Sequence, residues 1–179
     1  MEFATLLKER RSIRSYRPDT RIEKETVEEL LRAAGQAPSW KNSQTGRYYV
    51  IMSPEKVQEI KENCLPSFNQ NSCSNAPVLI VTAYEKNRSG FERDGQPVNE
   101  LGNQWGAYDL GLQNENLILK ARESGLDTLI MGIRDSSKLR SLLSIPDSQE
   151  IVAVIALGLR NINPDAPARK DIAEIAKFF

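Results

Sequence analysis

Residues 101–125, LGNQWGAYDLGLQNENLILKARESG, constrain this chain more than any other stretch. They form the longest segment that reads as one helix. Leu101, Trp105, Tyr108, Leu112 and Leu119 recur at spacings of three, four or seven residues, which is the repeat of one helical face. Ala107, Leu110, Leu117, Ile118 and Ala121 form a second apolar surface. A helix that is apolar on two sides has to be covered on two sides. One stripe can lie on the chain's own sheet, and the other calls for a partner, most economically a second copy of the chain. An ordinary core helix has the same pattern. Gly125 ends the helix, because glycine enters the left-handed conformation without a Cβ clash. Residues 126–132 follow directly as a buried strand.

The 179 residues suffice for one domain, 1–179, with a real core. Lys plus Arg number 24, and so do Asp plus Glu. Zero formal charge argues against broad affinity for nucleic acid or an anionic membrane. No apolar run approaches the roughly 20 residues that cross a bilayer. The first residues, MEFATLLKERR, lack the charged-then-apolar order of a signal peptide. Cys64 and Cys73 match neither a CxxC nor a zinc spacing. A reduced, cytoplasmic protein is the expectation.

The chain contains no histidine. That removes a Ser-His-Asp triad, a Cys-His dyad, His-ligated metals and a histidine base. No Gly-x-Gly-x-x-Gly follows a strand, and no Gly-x-x-x-x-Gly-Lys-Ser/Thr is present. An enzyme of this composition borrows its chemistry from a cofactor.

Taken in order, residues 2–10 read as a short helix that runs into Arg10-Arg11-Ser12-Ile13-Arg14-Ser15-Tyr16-Arg17. Arginines alternating with Ser, Ile and Tyr read as an extended segment. Two or more of them can converge on one anion, since the planar guanidinium donates two parallel hydrogen bonds to a phosphate. A solvated basic edge has the same composition. Residues 23–35 are an amphipathic helix, with Val27, Leu30, Leu31 and Ala34 inward. Residues 36–46 are a polar loop punctuated by Pro38 and Gly46. Its Asn42 and Gln44 offer donors and acceptors suited to a heterocycle with mixed edges, or simply to backbone. A strand over 47–52 follows, then a helix to residue 63 with Ser53 as cap and Pro54 at its first position. Residues 64–75 read as irregular, 77–83 as a buried strand, and 85–102 as a long mobile loop. A short helix over 135–143, a buried strand over 150–158 and a tail with Arg169, Lys170 and a last short helix complete the chain.

Four segments together resemble one family, the FMN-dependent nitroreductases. Arg10-Arg11-Ser12-Ile13-Arg14-Ser15-Tyr16 is similar to its Arg-Arg-Ser-x-Arg-x-Tyr/Phe start. Ala37-Pro38-Ser39-Trp40-Lys41-Asn42-Ser43-Gln44 is similar to its Ala-Pro-Ser-x-x-Asn-x-Gln loop. The central helix runs into Gly125-Leu126-Asp127-Thr128, similar to Gly-Leu-Gly-Thr, and Ala156-Leu157-Gly158 leads to Pro167-Ala168-Arg169-Lys170, similar to a closing Pro-Arg-Lys. Each motif is weak alone. Their order and spacing cover nearly the whole chain.

The resemblance implies an α+β fold, with a mixed, mainly antiparallel central sheet flanked by helices, in an intertwined homodimer with two FMN molecules at the subunit interface. By position, Arg10, Arg11, Ser12 and Arg14 would hold the ribityl and phosphate end, completed by Arg169 and Lys170. Asn42 and Gln44 match flavin-contacting loop residues. Ser39 would reach the flavin bound by the other subunit, and Met131 and Gly132 would pass close to the ring. Thr45-Gly46 stands where many members have Pro-Trp. The activity implied is transfer of hydride from NADH or NADPH, via flavin N5, to a nitroaromatic, quinone or similar small acceptor, with no nucleic-acid or membrane partner. Dehalogenation, flavin fragmentation and a non-catalytic flavin-binding role are the alternatives on the same fold.

Overall fold

Side-chain alternation along four strands sets the layering. In the computed structural model, which describes residues 1–179, the strands are β1 (Gly46–Ile51), β2 (Val78–Glu85), β3 (Asp127–Met131) and β4 (Gln149–Gly158). They form one sheet in the order β1-β2-β4-β3, and each neighbouring pair is antiparallel. A parallel bridge between Ser12 and Thr128, beside β3, makes the sheet mixed.

Successive strand side chains point to opposite faces. Leu79, Val81, Leu129, Met131, Val154 and Ala156 lie on one face, with Val57 and Ile60 of α3 (Pro54–Cys64) and Leu139 of α6 (Ser136–Leu143). Val78, Ile80, Ile155 and Leu157 lie on the other, with Val27 and Leu30 of α2 (Lys24–Ala34) and Leu117 and Ala121 of α5 (Gln104–Glu123). The result is three layers with the sheet between two pairs of helices.

The two stripes of the central helix now separate. Leu110, Leu117 and Ala121 are fully buried, whereas Tyr108 is 60% exposed and a Cβ at Gly111 would meet nothing. The sheet side is the Leu117 stripe, and the Tyr108 side is open. Gly125 closes the helix at φ +80°, and Leu126 N–H returns to Ala121 C=O at 2.8 Å, so the chain turns straight into β3.

Three local expectations differ from the structure. Residues 67–72 form a helix, α4 (Ser67–Ser72), inside the stretch read as irregular. Apart from the exposed Phe68 its residues are polar, and only Asn69 is buried, so it carries no apolar period. The Asn69 amide instead donates to Ile133 C=O at 2.9 Å. Ser53 precedes α3, but its hydroxyl makes no capping bond. The stretch 85–102 is fastened rather than loose. Asn87 and Asn103 pair through two hydrogen bonds, and Trp105 Nε1–H donates to Asn99 Oδ1 at 2.9 Å. At the ends lie α1 (Phe3–Glu9) and α7 (Ile172–Ile175), and every residue from Asn161 onward is exposed.

Asp127 anchors the junction of α5, β3 and the tail. Its side chain is 1% exposed and contacts both Arg122 and Arg160. Arg160 Nε–H donates to it at 2.7 Å, and this bonding raises the Arg160 guanidinium above its ordinary pKa. Arg122 continues to Glu9 at 3.3 Å, which ties in α1. Removing one partner of a buried ion pair strands the other charge, which costs about 3–5 kcal/mol. Arg160→Ala leaves Asp127 its 3.4 Å contact with Arg122, so a smaller loss of about 1–3 kcal/mol is expected in urea unfolding, while Arg32→Ala, from an exposed helical pair on α2, loses under about 1 kcal/mol.

Candidate functional site

The arginine segment is extended, as the sequence reading expects. Ile13 N–H donates to Thr128 C=O at 3.0 Å and Arg17 N–H to Leu159 C=O at 2.9 Å. Ile13 and Tyr16 are buried and pin the segment to the sheet. Burial also pushes the Tyr16 phenol far up from its ordinary pKa. Ser12 and Arg14 are exposed on the outward side. Arg11 shares a side with Ile13 and faces the other way. It lines a polar cavity of about 360 Å³ with Lys8, Glu9, Arg122 and Arg160. The structure therefore does not bring Arg11 together with Ser12 and Arg14. Arg10 and Arg14 have no carboxylate partner, and Arg14 makes only a long 3.4 Å bond to Ser12 C=O.

The loop before β1 is wound into an unusual path. A short 3-10 turn spans Trp40–Asn42, and Lys41, Asn42 and Gln44 have φ of 46°, 54° and 49°. Each left-handed residue other than glycine costs on the order of 1–3 kcal/mol and persists only where its surroundings fix it. Gln44 N–H bonds the Ser39 hydroxyl at 3.0 Å and Gln44 Nε2 donates to Asn42 Oδ1 at 3.2 Å. Ser39, Asn42 and Gln44, singled out separately in the sequence, thus form one hydrogen-bonded unit. Asn42 and Gln44 remain exposed.

What holds that loop from beneath is Asp109, which the sequence reading missed. It is 3% exposed and its Oδ2 accepts from Trp40 N–H at 3.0 Å and from Ser89 Oγ at 2.7 Å. With its proton given to Asp109, the Ser89 hydroxyl accepts from Ser43 Oγ at 2.7 Å and from Thr45 Oγ1 at 3.3 Å. Trp40 and Trp105 pack at 4.8 Å between ring centres. The available signal was a lone carboxylate between Tyr108 and Leu110, within a helix otherwise read as buried. Asp109→Ala leaves the Trp40 N–H without its acceptor, and a loss of about 1–3 kcal/mol is expected in chemical denaturation.

At Thr45-Gly46 the structure gives the physical reason for the departure from Pro-Trp. The Thr45 hydroxyl belongs to the Ser89 cluster, and a Cβ on Gly46 would sit 1.9 Å from Gln113 Oε1. Gly46 admits Gln113, whose Oε1 accepts from the Tyr48 hydroxyl at 3.3 Å.

Met131 is 2% exposed with its side chain in the core, so only its backbone can approach a ligand. Gly132 is exposed at the open end of β3, next to Ile130 and Ile133 at 45% and 65% exposure. Arg169 and Lys170 stand on the exposed tail, and the Arg169 guanidinium bonds only carbonyls of residues 167 and 168. No hydrogen bond links either of them to Arg10 or Arg14. Ser39 lines an open apolar hollow of about 220 Å³ with Trp40, Trp105, Tyr108 and Leu112, on the uncovered side of α5.

This donor set fits FMN. Two unpaired guanidiniums and a hydroxyl on one extended segment suit a terminal phosphate. The exposed amides of Asn42 and Gln44 suit the mixed edge of the flavin ring.

Residues 7–159 match the model of the Nitroreductase family. The Bacillus subtilis (strain 168) protein YdgI, named provisionally as an NAD(P)H nitroreductase, is 30% identical over 185 residues, covering 88% of this chain and 87% of its own. Iodotyrosine deiodinase of Drosophila melanogaster is 23% identical, covering 97% of this chain and 68% of its own. Among solved structures, a nitroreductase-type protein of Exiguobacterium sibiricum in complex with FMN superposes with TM-score 0.88 at 23% identity, over 100% of this chain and 98% of that one.

Proposed function

The chain belongs to the Nitroreductase family, and from that premise we propose an FMN-dependent oxidoreductase that takes hydride from NADH or NADPH and reduces a nitroaromatic, quinone or similar small acceptor. The observation that carries the reading is the pair of unpaired arginines, Arg10 and Arg14, beside Ser12 on a segment pinned by Ile13 and Tyr16. Arg10, Ser12 and Arg14 would hold the ribityl phosphate, with Arg169 and Lys170 brought in by the tail. Asn42 and Gln44 would bond the flavin ring, and the backbone of Met131 and Gly132 would pass beside it. Arg11 would steady that segment from behind. FMN is favoured over FAD because the chain has no dinucleotide fingerprint.

Bound flavin supplies two-electron chemistry at N5, between the nicotinamide and the acceptor. The net change is NAD(P)H + H⁺ + quinone to NAD(P)⁺ + hydroquinone, or a nitro group to nitroso and water with the same reductant. The chain's own part is to orient both partners, place positive charge near the reduced ring and exclude water. No side chain needs to act as nucleophile, which agrees with the absence of histidine.

The working unit is a homodimer. Phe3 and Leu7 on α1, Tyr108 on α5, Ile130 on the edge strand β3 and Ile133 just beyond it, and Ile172 and Ile175 on the tail are large apolar residues left at 45–65% exposure. Such a set calls for a cover, and a symmetric copy supplies one. Ser39 shares its hollow with Tyr108, so it would meet the flavin held by the partner. No helix is long and apolar enough to cross a membrane, and two buried unpaired cysteines agree with a reducing cytoplasm.

Steady-state oxidation of NADH and NADPH with menadione and 4-nitrobenzamide tests the reading. Turnover that depends on bound FMN and on an acceptor is expected. Tight flavin binding without turnover would leave a non-catalytic flavoprotein. Reductive dehalogenation is the second reading, favoured by the similarity to iodotyrosine deiodinase, and halide release from an iodophenol would mark it.

A further inference from the structure

We propose that the acceptor is an aromatic or quinoid molecule carrying an anionic group, held in the cleft between residues 40–43 and 87–95. This inference rests on the oxidoreductase reading and names the substrate class within it. The cleft encloses about 530 Å³ and is lined by Trp40, Lys41, Asn42, Phe91, Arg88 and Arg93, among others. That volume suits a small-molecule site.

Its position follows from Trp40, which lines both this cleft and the hollow shared by Ser39 and Tyr108. A molecule in the cleft therefore lies beside the place where Ser39 would reach the partner's flavin. Trp40 and Phe91 offer apolar ring surface from opposite loops. Lys41 and Glu92 form an ion pair at 3.5 Å across the opening, and they neutralise each other. Arg88 and Arg93 remain, with no carboxylate partner, so the lining carries a net charge of two positives, from Lys41, Arg88 and Arg93 against Glu92. Arginine forks favour a carboxylate or sulfonate over a neutral substituent.

The cleft is also preformed. Phe91 bridges to Pro97, Glu92 N–H donates to Gln96 C=O at 2.9 Å, and Ser89 is fixed by Asp109. At Gly90, φ is +79° and a Cβ would meet Trp105 Cδ1 at 2.4 Å, so the loop lies flat on α5. A rigid, cationic, aromatic-walled cleft gives selectivity at little ordering cost.

The test uses the FMN-loaded protein and matched ligands. Benzoate and benzamide are titrated against tryptophan fluorescence, which reports binding without turnover. The KM values for 4-nitrobenzoate and 4-nitrobenzamide are then compared in the natural protein and in the double variant Arg88→Glu, Arg93→Glu. The natural protein is expected to bind benzoate roughly tenfold or more tightly than benzamide, with the preference shrinking as salt rises. The charge reversal is expected to invert the nitrobenzoate-to-nitrobenzamide ratio, a comparison in which the intrinsic reactivities of the two acceptors cancel. Equal affinities, or a ratio untouched by the reversal, would overturn the proposal. So would a reversal that raises KM for NADPH alone, which would give the cleft to the dinucleotide phosphate. Failure of the oxidoreductase reading itself shows separately, as no turnover with either acceptor.

Discussion

Tyr108→Asp is expected to give a folded monomer that no longer retains FMN. Tyr108 is 60% exposed on the open side of α5, beside the hollow that holds Ser39. A carboxylate on a face that a second copy covers has to be desolvated without a partner, at a cost of several kcal/mol. Because the flavin would be held from both subunits, a ligand specific to the assembled state stabilises it by mass action, and loss of assembly releases the ligand. Leu117→Asp is the contrast. Leu117 is fully buried between the sheet and α2, so its replacement by a charge is expected to unfold the chain rather than separate two folded copies. Sedimentation with ultraviolet and visible detection reads mass and flavin together. A monomeric Tyr108→Asp that keeps its flavin at full affinity would defeat the shared-site model.

Arg14→Ala and Arg169→Ala are each expected to weaken FMN binding by roughly 1.5–3 kcal/mol, about ten- to more than a hundredfold, through lost charge-assisted hydrogen bonds. Arg14 stands exposed and without a carboxylate partner, next to Ser12. Arg169 bonds only its own neighbouring carbonyls, so its guanidinium is available to a phosphate. Arg17→Ala is the control, because its Nε–H is already spent on Arg160 C=O at 3.1 Å, and its effect on FMN is expected to be small. Fluorescence titration of the apoprotein with FMN measures all three. Equal losses would mean that the basic segment acts as a diffuse positive patch.

The layers were legible because apolar period and burial agree at Val27, Leu30, Leu79, Val81, Leu117 and Ile155. The stripe on α5 that stays uncovered was not legible, since Tyr108 and Leu117 belong to equally periodic faces and only the sheet's position separates them. The direction of Arg11 was hidden for a related reason: four arginines look alike until the pairing of buried Ile13 with Thr128 fixes which side Arg11 takes. Asp109 escaped notice because its partners, Trp40 and Ser89, lie far away in sequence. The left-handed path at Lys41 and Gln44 likewise depends on that distant support and leaves no local signature, since neither residue favours it. α4 went unread because its hydrogen bonds, not an apolar face, hold it in place.

The central claim is that a flavin held by this chain carries electrons from a nicotinamide to an acceptor. Anaerobic mixing of the FMN-loaded protein with one equivalent of NADH, and separately NADPH, followed by visible absorbance, tests it most directly. The account predicts that at least one of the two bleaches the oxidised flavin band, and that adding menadione or 4-nitrobenzoate restores it. A protein that takes up no FMN, or whose flavin stays oxidised with both nicotinamides, would contradict it.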